Sequence, residues 1–172
     1  VQALNSFNHS TIDFKLEADA IRNGNSIQLI YQIADLKNLL KLPPAFTTNE
    51  KEISREDGLW NETCFEMFLR TKEKTHYYEF NFSLKPAWNE YSFNNYRHPQ
   101  PPKPCYDISL KNLNWDGQNL KIDLYGFSTL EKFEISLTAV LKESSGAVHY
   151  MALKHAGTEP DFHHADSFVL KR

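Results

Sequence analysis

No apolar run in the chain approaches the roughly 18 to 20 residues of a membrane-spanning helix, so no such helix is expected. Cysteine is scarce. Cys64 and Cys105 are the two present, too few for a disulfide scaffold, and a bridge between them is allowed but not indicated. Positive charge is not in excess: 19 Lys+Arg against 22 Asp+Glu leave a net charge of -3. A nucleic-acid binder that neutralises phosphates needs a basic footprint, and this chain has none. Residues 1–8 lack the basic and apolar regions of a secretory signal, and a cytoplasmic setting is expected. No strand–helix–strand rhythm, internal repeat or linker stretch is visible. What is present is 172 residues with 41% hydrophobic and 24% charged content, close to ordinary globular usage. One domain over 1–172 is expected, and disorder is not.

The dominant period is two. Ile12, Phe14 and Leu16 alternate with Asp13, Lys15 and Glu17, and Ile27, Leu29, Tyr31 and Ile33 form a second alternating run. Arg22-Asn23-Gly24-Asn25 between them reads as a turn, because Asn and Gly tolerate positive φ, and the two runs read as a hairpin. Residues 35–40 read as one helical turn capped by Asp35 and stopped before Pro43-Pro44. Residues 43–58 read as a long surface loop. Further strands are expected near 62–70, 76–84, 89–96, 106–110, 119–127, 133–142, 147–154 and 166–171, with turns at 71–74, Trp115-Asp116-Gly117 and Ser144-Ser145-Gly146. Residues 97–104 hold four of the eight prolines and cannot form a central strand. About ten short strands with little helix predict an all-β fold, an antiparallel β-sandwich or jelly roll.

Side chains alternate faces along a strand, so parity sorts them. Thr63, Phe65, Met67 and Leu69 belong to one face and read as core. Trp60, Glu62, Cys64, Glu66 and Phe68 belong to the other. In the next strand Tyr78, Phe80 and Phe82 read as core, with Tyr77, Glu79, Asn81 and Ser83 opposite. In the strand after that, Tyr91 and Phe93 are assigned to the core and Trp88, Glu90 and Ser92 to the open face. Side by side, the open faces make one surface of Trp, Tyr, Glu, Asn and Ser. A pyranose offers an apolar C–H face to an indole and hydroxyls to carboxylates, amides and guanidinium groups. That surface therefore suits a sugar, against the plainer alternative of a solvated sheet face carrying a few aromatics.

The stretch from Gly58 to Leu69 (Gly-Leu-Trp-Asn-Glu-Thr-Cys-Phe-Glu-Met-Phe-Leu) resembles the signature strand of DOMON-like domains, near the family 9 carbohydrate-binding modules. Tyr78-Glu79-Phe80-Asn81-Phe82-Ser83, Trp88-Asn89-Glu90-Tyr91-Ser92-Phe93 and Tyr96-Arg97 follow in order. Pro160-Asp161-Phe162-His163-His164-Ala165-Asp166 is similar to the closing motif of an uncharacterised bacterial branch of that group. The resemblance implies a β-sandwich with a ligand on or at the edge of one sheet. It implies that Trp60 stacks on sugar and that Glu66 and Arg97 hold hydroxyls. Tyr77, Glu79, Asn81 and Trp88 would line the surface. The related modules close the sugar with a second Trp. This chain has no Trp after Trp115, so Phe162, His163 or His164 would substitute.

Other chemistries have weaker signals. Haem binding, known in the wider group, would draw on Met67 or Met151, but parity sends Met67 into the core, where it packs. Asp161, His163, His164 and Asp166 are a possible metal set, yet adjacent histidines point apart on an extended chain and no second cluster has ligand spacing. Their plainer role is to orient a loop, and no metal or cofactor is expected. Glu62 and Glu66 on one strand would lie about 13 Å apart, too far for a glycosidase pair at roughly 5 to 9.5 Å. Glu66 with Glu79 or Glu90 on neighbouring strands would be nearer. No nucleophile elbow is present, so no catalysis is expected. The segment 99–104 has polyproline II character and is either a stiff loop or a docking strip for a protein partner. The expected role is non-catalytic binding of a carbohydrate or sugar-like small molecule. A protein-interaction or self-association module is the alternative.

Overall fold

The computed structural model describes residues 1–7, 12–71, 75–127 and 132–172. Thirteen strands dominate it: β1 (Gln2–Ser6), β2 (Lys15–Asn23), β3 (Ser26–Ala34), β4 (Ser54–Arg55), β5 (Cys64–Arg70), β6 (Tyr77–Ser83), β7 (Ala87–Phe93), β8 (Lys103–Pro104), β9 (Ser109–Trp115), β10 (Asn119–Tyr125), β11 (Glu134–Lys142), β12 (Val148–Ala152) and β13 (Leu170–Lys171). Helix among the described residues is confined to three single 3-10 turns. Among the described residues no helix is long and apolar enough to cross a membrane. Both cysteines are free. The expected turn at 71–74 lies largely outside the described residues.

The strands follow one continuous path, β4-β7-β6-β5-β11-β12-β1-β2-β3-β10-β9, and every pairing along it is antiparallel except β4 with β7. Two separate sheets were expected; instead the sheet curls as a half-barrel. The reason is β1, which pairs with β12 on one side and β2 on the other and so joins the two halves. The curl brings the path's two ends together: Arg55 of β4 donates to the carbonyl of Ile108, just before β9. Inside the curl lies the main core, where Leu16, Ile27, Leu29 and Ile122 of one half meet Phe65, Met67, Phe82 and Leu137 of the other. The Tyr31 hydroxyl crosses this core and donates to the Glu66 carbonyl at 2.7 Å.

The β2–β3 hairpin forms as the sequence predicts, with Gly24 at φ +57° in its turn. Residues 35–40 are not helical. The Asp35 carboxylate accepts from the Leu39 and Leu40 amides at 3.0 and 2.8 Å, and Leu40 then bridges to Glu143. An aspartate side chain in this role competes with helix rather than continuing it. The 43–58 loop is pinned along the curl. Phe46 bridges to Trp115, Glu50–Glu52 makes a 3-10 turn with a capping box from Asn49, and β4 joins β7.

The outer face of β5, β6, β7 and β11 departs most from expectation. It is not an open surface. Residues 96–102 and 155–168 fold over it, and β5 is buried on both faces from Cys64 to Leu69. A second cluster of Phe68, Tyr77, Tyr91, Phe93, Phe162 and Phe168 fills the space beneath the cover. Parity also differs in β7. The register pairs Tyr77 with Phe93, Glu79 with Tyr91 and Phe82 with Trp88. Tyr91 and Phe93 therefore share the outer face with Glu79, while Trp88 and Glu90 turn inward. A one-residue change of register flips every side chain of a strand.

Candidate ligand-binding cleft

The outer face is not filled completely. A cleft of about 460 Å³ remains between sheet and cover, within the size range of small-molecule sites. Glu66 and Phe68 of β5, Glu79 of β6 and Phe93 of β7 form its floor, with Val140 of β11 and Tyr150 of β12 at one side. One wall is Arg97 with Gln100, Pro101 and Pro102; the other is Pro160, Phe162 and His163. Trp60 stands at the mouth. Gly58, at φ +73°, lets the chain enter the 3-10 turn Leu59–Asn61, which carries the indole outward. Trp60 stays 36% exposed and meets the Tyr91 ring edge-on at 5.7 Å.

Asp161 ties the two walls together. Its carboxylate accepts from the Arg97 guanidinium at 2.9 Å, the Tyr96 hydroxyl at 2.8 Å and the His163 amide at 3.1 Å. Burial works against the Asp161 charge, but the Tyr96 and Arg97 bonds outweigh it and hold the carboxyl below its ordinary value. Behind them, the Ser167 hydroxyl sits between the carbonyls of His164 at 2.6 Å and Phe162 at 3.1 Å and shares its one proton with them, fixing the second wall. The first wall is fixed by β8, which pairs with β7.

His163 is oriented by a chain of donors. The Arg97 amide donates to the Tyr77 hydroxyl oxygen at 3.1 Å, and that hydroxyl lies 2.7 Å from His163 Nδ1. Nδ1 is the acceptor within reach of the hydroxyl proton among the described residues; with that proton on Nδ1, the imidazole proton sits on Nε2. Nε2 faces the Glu79 carboxylate at 3.7 Å. Burial, aided by the Arg97 charge and opposed by Asp161, lowers the His163 pKa to about 4, so the ring is neutral near pH 7. The phenol of Tyr77 is pushed up to about 12, chiefly by burial.

Glu66 and Glu79 are diagonal neighbours on one face of β5 and β6, since Glu66 pairs with Asn81 and Phe68 with Glu79. Both are buried. Burial, then the charge of Glu79, holds Glu66 well above the usual carboxylate range, with only partial relief from the Thr138 hydroxyl at 3.4 Å and the Cys64 thiol. Burial raises Glu79 to about 7, against the Asn81 amide, which donates to it at 2.8 Å, and the Arg97 charge. The two titrate as a pair that retains a proton near neutrality.

Six of the ten residues singled out in the sequence line this one cleft: Trp60, Glu66, Glu79, Arg97, Phe162 and His163, but not His164. Tyr77 and Asn81 stand behind it, bonded to His163 and Glu79. Trp88 does not reach it. Its indole lies in the main core, stacked on Phe82 at 6.3 Å with the Arg55 guanidinium 3.7 Å from the ring centre. Phe93, Val140 and Tyr150 also line the cleft, as does the Gln100-Pro101-Pro102 stretch, expected as a stiff loop or a protein-docking strip rather than as a wall of the site. Tyr150 has a usable signal in its outward alternation along 147–154; the prolines mark the loop but not where it returns over the sheet.

The two methionines, Met67 and Met151, are both core residues. Asp161 accepts from the His163 amide, His163 Nδ1 meets the Tyr77 hydroxyl, and His164 Nδ1 accepts from the Asp166 amide. Among the described residues, Glu90, Cys105 and Asp107 bring three potential metal donors together away from the cleft, but there Glu90 already faces Arg55 at 3.6 Å.

No family model matches the chain, and no curated protein matches it. Among solved structures, it is similar to one described as a "putative carbohydrate-binding protein from Bacteroides uniformis". The TM-score is 0.63 and the identity 9%, over 97% of this chain and 83% of that one. At that identity the likeness speaks for the fold.

Proposed function

We propose that this domain binds a carbohydrate in the cleft and does so without catalysis. The observation that carries the reading is one arrangement: the half-exposed Trp60 indole at the mouth of a cleft whose floor holds Glu66 and Glu79 and whose wall holds Arg97. An aromatic face and a convergent set of carboxyl and guanidinium groups match the two sides of a pyranose. Trp60 stacks on the apolar face of the sugar, Glu66 and Glu79 bind hydroxyls from below, and Arg97 and His163 bind them from the walls. Phe162 closes the side that a second Trp closes in family 9 modules. The DOMON-like resemblance of the Gly58 to Leu69 stretch and the described role of the structural neighbour both point in this direction.

A thermal-shift panel of mono- and oligosaccharides tests the reading. A ligand at 100 times its Kd adds about 2.7 kcal/mol, enough to raise the midpoint by several degrees. A shift with a sugar, lost in Trp60→Ala, is expected. No shift across the panel, or one unaffected by Trp60→Ala, overturns the assignment.

A further inference from the structure

The cleft floor has an electrostatic gap. Glu66 and Glu79 are both buried, and among the described residues neither has a lysine or arginine within ion-pair distance. The nearest cationic side chain in the cleft, Arg97, is engaged by Asp161 at 2.9 Å, so those two charges cancel. Every other group facing the pair is uncharged near neutrality: the Cys64 thiol and Thr138 hydroxyl beside Glu66, and Asn81 and the His163 imidazole beside Glu79. Tyr31 reaches Glu66 only through its backbone carbonyl, from the core side. The Tyr91 hydroxyl, across from Glu79, is committed to Asp57 at 2.8 Å. The net charge of the floor is therefore that of the carboxyl pair alone. Behind the floor, Asn81 is fully buried, and its carbonyl oxygen has no hydrogen-bond partner among the described residues. The rings of Trp60, Phe68, Phe93, Tyr150 and Phe162 also line the cleft, and aromatic surroundings of this kind suit a cation better than an anion.

We infer that the sugar bound in this cleft carries a primary amine, whose ammonium group is the cation the buried Glu66–Glu79 pair lacks. The inference rests on the carbohydrate reading above and narrows it to amino sugars. An ammonium has three donors, enough to serve both carboxyls. Charging the pair against the ammonium displaces the proton that the pair otherwise holds. That proton leaves to solvent, and the amine keeps its own.

Isothermal titration of the protein with D-glucosamine, D-glucose and N-acetyl-D-glucosamine tests this. At about pH 6, below the Glu79 value of about 7, the pair is protonated and the amine is an ammonium. Repeating each titration in two buffers of different ionisation heat counts the protons released. Glucosamine is expected to bind about tenfold or more tightly than the two uncharged sugars and to release most of one proton. Glu79→Gln is expected to reduce both the preference and the release. Equal affinity for all three sugars, or glucosamine binding without proton release, overturns the amine inference and leaves the carbohydrate reading standing. If none of the three binds, the amine inference also falls. The carbohydrate reading falls only if the wider sugar panel fails as well.

Discussion

The buried carboxyl pair imposes a pH profile on the stability of the empty protein, and Glu79→Gln should flatten it. A carboxyl raised in the folded state holds its proton more tightly there than in the unfolded chain. Its contribution is fully present below the unfolded value, 4.5, and is lost as pH rises through the folded value of about 7. That interval, at about 1.4 kcal/mol per pH unit, is worth about 3 kcal/mol in all. Between about pH 5 and pH 8 some 2 to 3 kcal/mol of it is lost. Glu66 is shifted in the same direction, and removing the Glu79 charge relieves it in part. Glutamine keeps an oxygen for the Asn81 amide but sets an NH₂ near His163 Nε2–H, which costs something at every pH. The informative quantity is therefore the double difference, variant minus parent at pH 8 less the same at pH 5. Urea unfolding followed by tryptophan fluorescence at the two pH values measures it. We expect the variant to gain about 2 to 3 kcal/mol on the parent over this range. Parallel profiles would refute the assignment of a raised, shared proton to the cleft floor.

On the acid side His163 contributes: its pKa falls from 6.5 to about 4 on folding, so its contribution is present above 6.5 and is lost as pH falls through about 4. His163→Gln should flatten the decline in stability between about pH 6 and pH 4, read by the same urea series. Trp88→Ala removes a core indole and should cost about 3 to 5 kcal/mol, seen as a clear drop in melting temperature. The same variant should bind sugar normally where it remains folded; lost binding would put the indole back in the site. Asp161→Asn loosens both walls and should weaken sugar binding about tenfold, measured by fluorescence titration. Gly126→Ala should destabilise by about 1 to 3 kcal/mol, because φ is +126° and a Cβ would sit 3.0 Å from the Asp107 carbonyl; unchanged urea unfolding would contradict the close approach.

Strands with one wet face were legible. β2 and β3 alternate buried and exposed residues along most of their length, and Gly24 marks their turn, so the hairpin could be read directly. β7 could not be sorted that way. It is buried on both faces, so Trp88, Glu90, Tyr91 and Phe93 carry no polar-out signal, and only pairing with β6 decides which way each points. β1 has five residues and little alternation, yet it turns two expected sheets into one. In the cleft, the residues local to β5 and β6 were visible as a group. The network that closes it was not, because Tyr77 meets His163 across 86 residues and Arg97 meets Asp161 across 64. Such contacts depend on how loops return over the sheet, and no local pattern encodes that return.

The three tryptophans supply the most direct test of sugar binding in the cleft. Trp60 lies at its mouth, Trp88 is packed under Arg55 in the core, and Trp115 sits on β9 with its indole N–H bonded to the Pro43 carbonyl. Their indole N–H signals in a ¹H–¹⁵N spectrum can be followed during titration with an amino sugar and with its uncharged counterpart. Binding in the cleft predicts that the Trp60 signal moves and saturates while those of Trp88 and Trp115 stay in place. A Trp60 signal that never moves, with any sugar in the panel, contradicts it.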